Sequence, residues 1–243
     1  MSFMKKLIIT AILVLTVIIG NSQYSFTYNG REYYVLKTSV FKDSAGKQYN
    51  YNEAMLVMMG GDYGIVPADS KDAGKGFLLT GVSKEEKLKR AMSAPKPAET
   101  TSFKTGKKFD AFKAYDMNGN LVDTKLLKGK VLVINFWFTT CPPCKAERPY
   151  LNQMVDDYKS DSNVVFIAVA LDQKEVLQPY LKEHEFKYNV IPEGKKIADS
   201  YSISGYPTQV IVDGEGKVAF HTVSYYYVTD YWMRKTIDEL RGK

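Results

Sequence analysis

The chain has 243 residues, 33 lysines and arginines against 27 aspartates and glutamates, and a net charge of +6. The basic residues are scattered among acidic ones and form no stripe, which excludes a nucleic-acid footprint and leaves a mild excess that aids solubility. The 18 tyrosines make the chain rich in aromatic residues.

Lys5 and Lys6 precede an apolar run from Leu7 to Gly20, and no acidic residue occurs before Glu32. The run is shorter than the ~20 residues of a membrane span. Residues 1–22 therefore read as a signal peptide, cleaved after Gly20-Asn21-Ser22 to leave Gln23 first; an uncleaved single-helix anchor is the alternative. No cysteine lies there for lipid attachment. Either way the body of the protein is expected to be exported, to a periplasm or cell envelope, where disulfides are tolerated. Cleavage leaves 31 basic residues against 27 acidic ones, a charge of +4. The remaining length suggests two domains, or one with a large extension.

Residues 23–97 read as a small α+β module of unknown function. Tyr24, Phe26 and Tyr28 alternate with Ser25 and Thr27, Asn29-Gly30 supplies a type I′ turn, and Glu32 to Leu36 return. Ala45-Gly46 marks another turn. Asn52 is placed to cap a helix through Met59, stopped by Gly60-Gly61. Ser83-Lys84-Glu85-Glu86 is a capping box for a further helix. The tyrosines read mostly as core and strand-face residues. The small, Pro-punctuated stretch from Ala91 to Ser102 reads as a linker or a crossing loop.

Residues 103–243 read as one α/β domain. Phe109 to Asp116 and Asn120 to Asp123 flank Met117-Asn118-Gly119 as a hairpin. Val131 to Phe136 is a buried strand, and Pro142 to Tyr158 a helix with Ala146, Tyr150, Leu151, Met154 and Tyr158 at helical spacing. Pro142 and Pro143 sit harmlessly in its first turn, whereas Pro149 lies inside it. Val164 to Ala170 is a second strand. Asp172 to His184 is a helix with Val176, Leu177, Tyr180 and Leu181 inward, and Lys196 to Tyr201 a short one. Gln209 to Val212 and Lys217 to Thr222 form a hairpin about Asp213-Gly214-Glu215-Gly216. Asp230 to Leu240 closes the chain as a helix presenting Met233, Ile237 and Leu240. The first strands are expected to be parallel and the hairpin antiparallel.

The only two cysteines, Cys141 and Cys144, are spaced Cys-x-x-Cys between the first strand and its helix. Cysteines so placed do not staple a fold; they serve exchange or a metal. A dithiol at a helix N-terminus is a redox device, because the helix dipole favours the reactive thiolate. His184 and His221 lie far off in sequence and read as a solvated helix end and a strand-face residue.

The element order, Trp137-x-x-x-Cys141-x-x-Cys144 and the later Gly205-Tyr206-Pro207-Thr208 resemble the thioredoxin superfamily, and most closely its exported TlpA/ResA-type thiol-disulfide oxidoreductases. The leading hairpin, the insertion from Asp172 to Tyr201 and the Cys144-x-x-Glu147-x-Pro149 pattern carry the closer likeness, over about Phe103 to Lys243. The resemblance implies a thioredoxin-like fold, a central mixed sheet flanked by helices, behind the α+β module. It implies a thiol-disulfide oxidoreductase acting as a reductase, in cytochrome c maturation or redox homeostasis, with an oxidant or isomerase as the alternative. A Cys-x-x-Cys metal carrier is the reading from another class.

On that resemblance, Cys141 is the exposed attacking thiol and Cys144 resolves the mixed disulfide. Glu147 tunes the thiols and carries a proton, the alternative being simple charge stabilisation at a helix N-terminus. Asn135 stands where thioredoxin has a buried aspartate. Pro207 matches the family's cis-proline. Trp137, Pro142, Pro143, Tyr206 and Pro207 are expected to meet the client, with Trp137 shielding the dithiol. Thr140 replaces a tryptophan usual in thioredoxin. The expected cofactor is none beyond the redox-active disulfide, with no metal. The expected partners are protein clients with disulfides and a membrane thiol electron donor, with no nucleic acid, and a membrane only through an uncleaved anchor.

Overall fold

The computed structural model describes residues 24–69 and 76–242, so the signal peptide expected over 1–22 lies outside the described residues. The described chain falls into two compact units that divide between Lys84 and Glu85.

In the first unit, β1 (Tyr24–Tyr28) and β2 (Arg31–Val35) form the expected hairpin. Asn29 and Gly30 both take positive φ, as a type I′ turn requires. β3 (Phe41–Lys42), β4 (Gln48–Tyr49), α1 (Tyr51–Met59), β5 (Tyr63–Pro67) and β6 (Phe77–Gly81) follow. The last four strands make a sheet in the order β4-β3-β6-β5. The cap of α1 is Asn50, not Asn52: its side chain accepts from the Glu53 amide, and the Glu53 carboxylate accepts from the Asn50 amide. Only Asn50 has a glutamate three residues on, so only Asn50 can close a capping box. The core is Phe26, Tyr33, Val35, Phe41, Ala54, Ile65, Phe77 and Leu79.

The second unit takes in nearly all of α2 (Lys84–Ser93) and the Pro-punctuated segment after it. That segment is a crossing loop held along the domain. The Ala98 carbonyl accepts from the Thr222 hydroxyl, and the Thr100 amide donates to His221 Nδ1 at 3.0 Å. The hairpin β7 (Lys113–Tyr115) and β8 (Leu121–Asp123) comes next, shorter than its sequence run, followed by a 3-10 turn over Thr124–Leu127. Asp116 stabilises the tip by accepting from the Asn118 and Asn120 amides.

The remaining elements are β9 (Val131–Trp137), α3 (Pro142–Tyr158), β10 (Val164–Ala170), α4 (Lys174–Glu183), β11 (Asn189–Ile191), α5 (Lys195–Ser200), β12 (Thr208–Val212), β13 (Val218–Val223) and α6 (Tyr227–Leu240). The sheet order is β11-β10-β9-β12-β13. β9, β10 and β11 are parallel; β12 is antiparallel to both β9 and β13. This is the mixed sheet the resemblance implies, with one strand added: β11 is too short, and too polar in its approach, to show as a run of its own.

Every residue of β9 is buried, because strands flank it on both sides and both faces are covered. Val131, Val133 and Trp137 face a cluster with Leu151 and Met154 of α3, Leu177 of α4, and Met233 and Ile237 of α6. Leu132, Ile134 and Phe136 face Phe103, Phe109, Val122, Ile191, Ala198 and Ile203. Two helix faces differ from expectation. On α4 Leu177 is buried but Val176 is exposed. On α3 the buried stripe is Cys144, Glu147, Leu151, Met154 and Tyr158, a run of three- and four-residue steps. Ala146 and Tyr150 lie off that stripe, and a glutamate lies on it.

Candidate active site

β9 ends at Trp137, and the chain reaches α3 through Phe138, Thr139 and Thr140. Asp172, just past β10, holds this loop: its two carboxylate oxygens accept from the Thr139 amide at 2.7 Å and the Thr139 hydroxyl at 2.8 Å. Leu171 N–H donates to the Trp137 carbonyl at 3.0 Å. The turn is thus fixed to the end of the neighbouring strand.

Cys141 is the N-cap of α3, with prolines in the first turn. Its sulfur accepts from the Cys144 amide at 3.3 Å, so a thiolate there would meet a backbone donor and the positive end of the helix. Cys141 and Cys144 form a disulfide with Cα atoms 5.3 Å apart. One expectation fails here. Cys141 is not exposed: it retains 2% of its accessible surface and Cys144 4%. In the disulfide, both cysteines belong to the buried apolar cluster that contains Trp137.

Trp137 is buried as well, edge-on to Phe186 with centroids 5.2 Å apart and tilted against Tyr180. It shields the dithiol from within and offers a client no side-chain surface in this state. The accessible rim is Pro142, which is exposed, with Pro143 and Tyr206 partly exposed. Tyr206 meets Phe138 edge-on at 5.4 Å. The Tyr206–Pro207 peptide bond is cis, and Pro207 itself is buried. Thr208 pairs with Phe136, which puts Pro207 level with Trp137 at the dithiol end of the sheet. Gly205 permits this loop: a Cβ there would stand 2.5 Å from Val223 Cγ2.

Glu147 lies one helical turn beyond Cys144, on the same buried face, with 1% of its surface accessible. Its Oε1 accepts from Asn135 Nδ2 at 2.8 Å and from Gln209 Nε2 at 2.9 Å. Burial pushes its pKa up to about 8, against the lowering effect of the two amides. A carboxyl at that pKa is largely protonated at neutral pH and within range of a thiol, so the two can exchange a proton near neutrality. Glu147 is therefore no surface charge at a helix end. Tyr188, buried nearby, has its phenol pushed well above the ordinary value, first by burial and then by Glu147, and stays neutral.

The sequence placed Cys141, Cys144 and Glu147 on one helix and Pro207 beside them, and the structure brings all four to one end of the sheet. It missed Gln209, which read as the first residue of an apolar strand. The only available signal was a second amide in a central strand, and that becomes meaningful only through the register pairing Gln209 with Asn135. The histidines stay apart: His184 is exposed at the end of α4, tilted against Tyr180, and His221 is buried in β13.

Residues 105–221 match the model of the AhpC/TSA family. The chain is 36% identical over 123 residues to thiol-disulfide oxidoreductase ResA of Bacillus cereus, covering 50% of this chain and 70% of that protein. It is 32% identical over 105 residues to ResA of Bacillus subtilis, covering 42% of this chain and 58% of that one. Among solved structures, a thiol:disulfide interchange protein DsbE of Chlorobium tepidum has a TM-score of 0.53 at 24% identity, over 57% of this chain and 98% of that chain. A thiol:disulfide interchange protein from Bacteroides sp. has a TM-score of 0.50 at 27% identity, over 57% and 93%.

Proposed function

This chain belongs to the ResA-type thiol-disulfide oxidoreductases of the thioredoxin-like fold, and from that premise we propose that it works as a reductase of protein disulfides. The observation that carries the reading is a disulfide at a helix N-terminus with a buried, largely protonated glutamate one turn behind it.

In the reduced protein the Cys141 thiolate, stabilised by the Cys144 amide and the helix dipole, attacks a client disulfide. One client sulfur leaves as a thiolate, and Cys141 is held in a mixed disulfide. Cys144 then loses its proton to Glu147 in its ionised form, the minor form at neutral pH, and its sulfur displaces the second client sulfur from Cys141. Both client sulfurs leave as thiolates, which take their protons from solvent, and Cys141–Cys144 is oxidised. Glu147 gives up its proton when the pair is reduced again. A client segment lies along Pro142, Pro143, Tyr206 and Pro207, and Trp137 supports the dithiol from beneath. Because Cys141 is covered in the disulfide, its exposure changes over the cycle.

Reduction in an exported setting needs an electron donor, and a membrane thiol protein is the class that fits. Export rests on the N-terminal charge and hydropathy pattern; among the described residues no helix is long and apolar enough to cross a membrane. Cytochrome c maturation, or upkeep of exported thiols, is the setting in which such a reductase acts.

The test is the equilibrium reduction potential of the Cys141–Cys144 pair. A value at or below about −250 mV supports reduction, and one near −120 mV turns the reading to oxidation or isomerisation. A protein with no reversible two-electron couple would overturn disulfide exchange and favour metal carriage.

A further inference from the structure

Gln209 and Asn135 are directly paired residues on neighbouring central strands, so their side chains share one face of the sheet. Both are buried, and both turn their amide nitrogens to the same atom, Glu147 Oε1. Among the described residues the second carboxyl oxygen, Oε2, is buried without a partner, and so are the amide oxygens Asn135 Oδ1 and Gln209 Oε1. Three orphaned oxygens in one buried cluster are costly, and an arrangement built for stability alone would pair them. A carbonyl-type oxygen has two lone pairs, and here two donors occupy both. Oε1 has no room for a proton.

We propose that Gln209, with Asn135 beside it, is a positioning residue that fixes the proton of Glu147 on Oε2 and keeps its carboxylate accessible as a base. The two donors hold the carboxyl plane against the sheet, so Oε2 is the single oxygen that gains and loses the proton. When Cys144 is deprotonated, its S–H bond breaks, the electron pair stays on sulfur and the O–H bond forms at Oε2. The two amides stabilise the carboxylate before the transfer, and they keep hold of Oε1 in the neutral acid that the transfer produces. Without Gln209, one donor remains, Oε1 regains a free lone pair, and the proton is held more tightly.

The groups that face Glu147 are few. Burial is the largest influence and raises its pKa; the Gln209 and Asn135 donors follow and lower it; no charged side chain contributes to the shift. Tyr188 from the segment entering β11 is neutral, and Cys144 lies on Glu147's own helix. Removal of one amide donor therefore acts on Glu147 with little to mask it.

The inference rests on the proton-carrying role of Glu147, and two readouts separate them. The first is carbon-13 NMR titration of the Glu147 carboxyl in the full oxidised protein, assigned by its loss in Glu147→Gln. Gln209→Met keeps the length and removes the donor; it is expected to raise the midpoint by about one pH unit. Gln209→Asn, which withdraws the amide by one methylene, is expected to shift it the same way and serves if the methionine variant does not fold. An unchanged midpoint in a folded variant overturns the role of Gln209. The second readout is the pH profile of disulfide exchange. If the carboxyl midpoint moves in Gln209→Met and the exchange profile follows it, both readings stand. If the midpoint moves and the profile does not, Gln209 still positions the carboxyl, and it is the catalytic role of Glu147 that fails.

Discussion

The two faces of the five-stranded sheet differ most at the centre, where β9 pairs with β12. On one face Leu132, Ile134 and Phe136 of β9 meet Ile167, Val169, Val210 and Val212 in an apolar layer, with Thr208 and His221 buried at its margin. On the other the same strands present Val133, Trp137, Ala168 and Ile211, but Asn135 and Gln209 interrupt them and Glu147 descends onto both. Ile134 and Asn135 are consecutive residues pointing opposite ways. One face is spent on packing. The other gives up apolar contact to keep a buried carboxyl one helical turn from Cys144, with three oxygens unpaired among the described residues. The contrast places the chemistry on one face, and the fold would tolerate its removal better than the activity would.

The largest effect is expected at the dithiol itself. Cys141→Ser should bring disulfide exchange down to background, and Cys144→Ser should trap a mixed disulfide with the client, seen as a covalent adduct that a reductant releases. Retained turnover in either variant would move the chemistry elsewhere.

Ile134→Ala probes the packing face. The side chain is fully buried, so its truncation should cost about 2–5 kcal/mol in denaturant unfolding. The pH profile of exchange should not move. A changed profile would mean that the two faces are coupled and the comparison is too simple.

Glu147→Gln probes the other face through stability. In the unfolded chain Glu147 ionises near 4.5, and in the folded protein at about 8. Between those values the unfolded chain binds fewer protons, so this group lowers stability as pH rises through the window and adds nothing further above it. The glutamine variant lacks that slope. Its stability relative to the parent should rise by a few kcal/mol from about pH 4.5 to about pH 8. Parallel stability curves would show that Glu147 is not held protonated.

Asp172→Ala should have the smallest effect. It removes two hydrogen bonds to Thr139 and loosens the turn before Cys141. A loss of about 1–2 kcal/mol in unfolding free energy is expected, with a modest fall in exchange rate. A collapse of activity would give that loop a larger role than positioning.

How much of this could be read from the residues follows from what each feature depends on. The strand, dithiol and helix were legible because they are local: a β-branched run, a cysteine pair and helical spacing occur in one stretch, and α3 spans the predicted residues. The leading hairpin and the Asn29-Gly30 turn were legible for the same reason. What escaped is relational. Gln209 gains its meaning from Asn135, 74 positions earlier, through a register that only the folded sheet defines. The burial of Cys141 depends on which side of the turn the disulfide faces, and spacing carries no information on that. Asn50 against Asn52 was decidable locally, since only one has Glu53 in reach.

The measurement that bears most directly on Glu147 as the proton-holding group of the dithiol is the pH dependence of the exchange rate in the parent and in Glu147→Gln. The parent is expected to show an ionisation with a midpoint of about 8 that the glutamine variant lacks, and the variant's rate is expected to be lower by about 10²-fold or more at neutral pH. Superimposable profiles with equal rates would contradict the account and reduce Glu147 to a buried structural group.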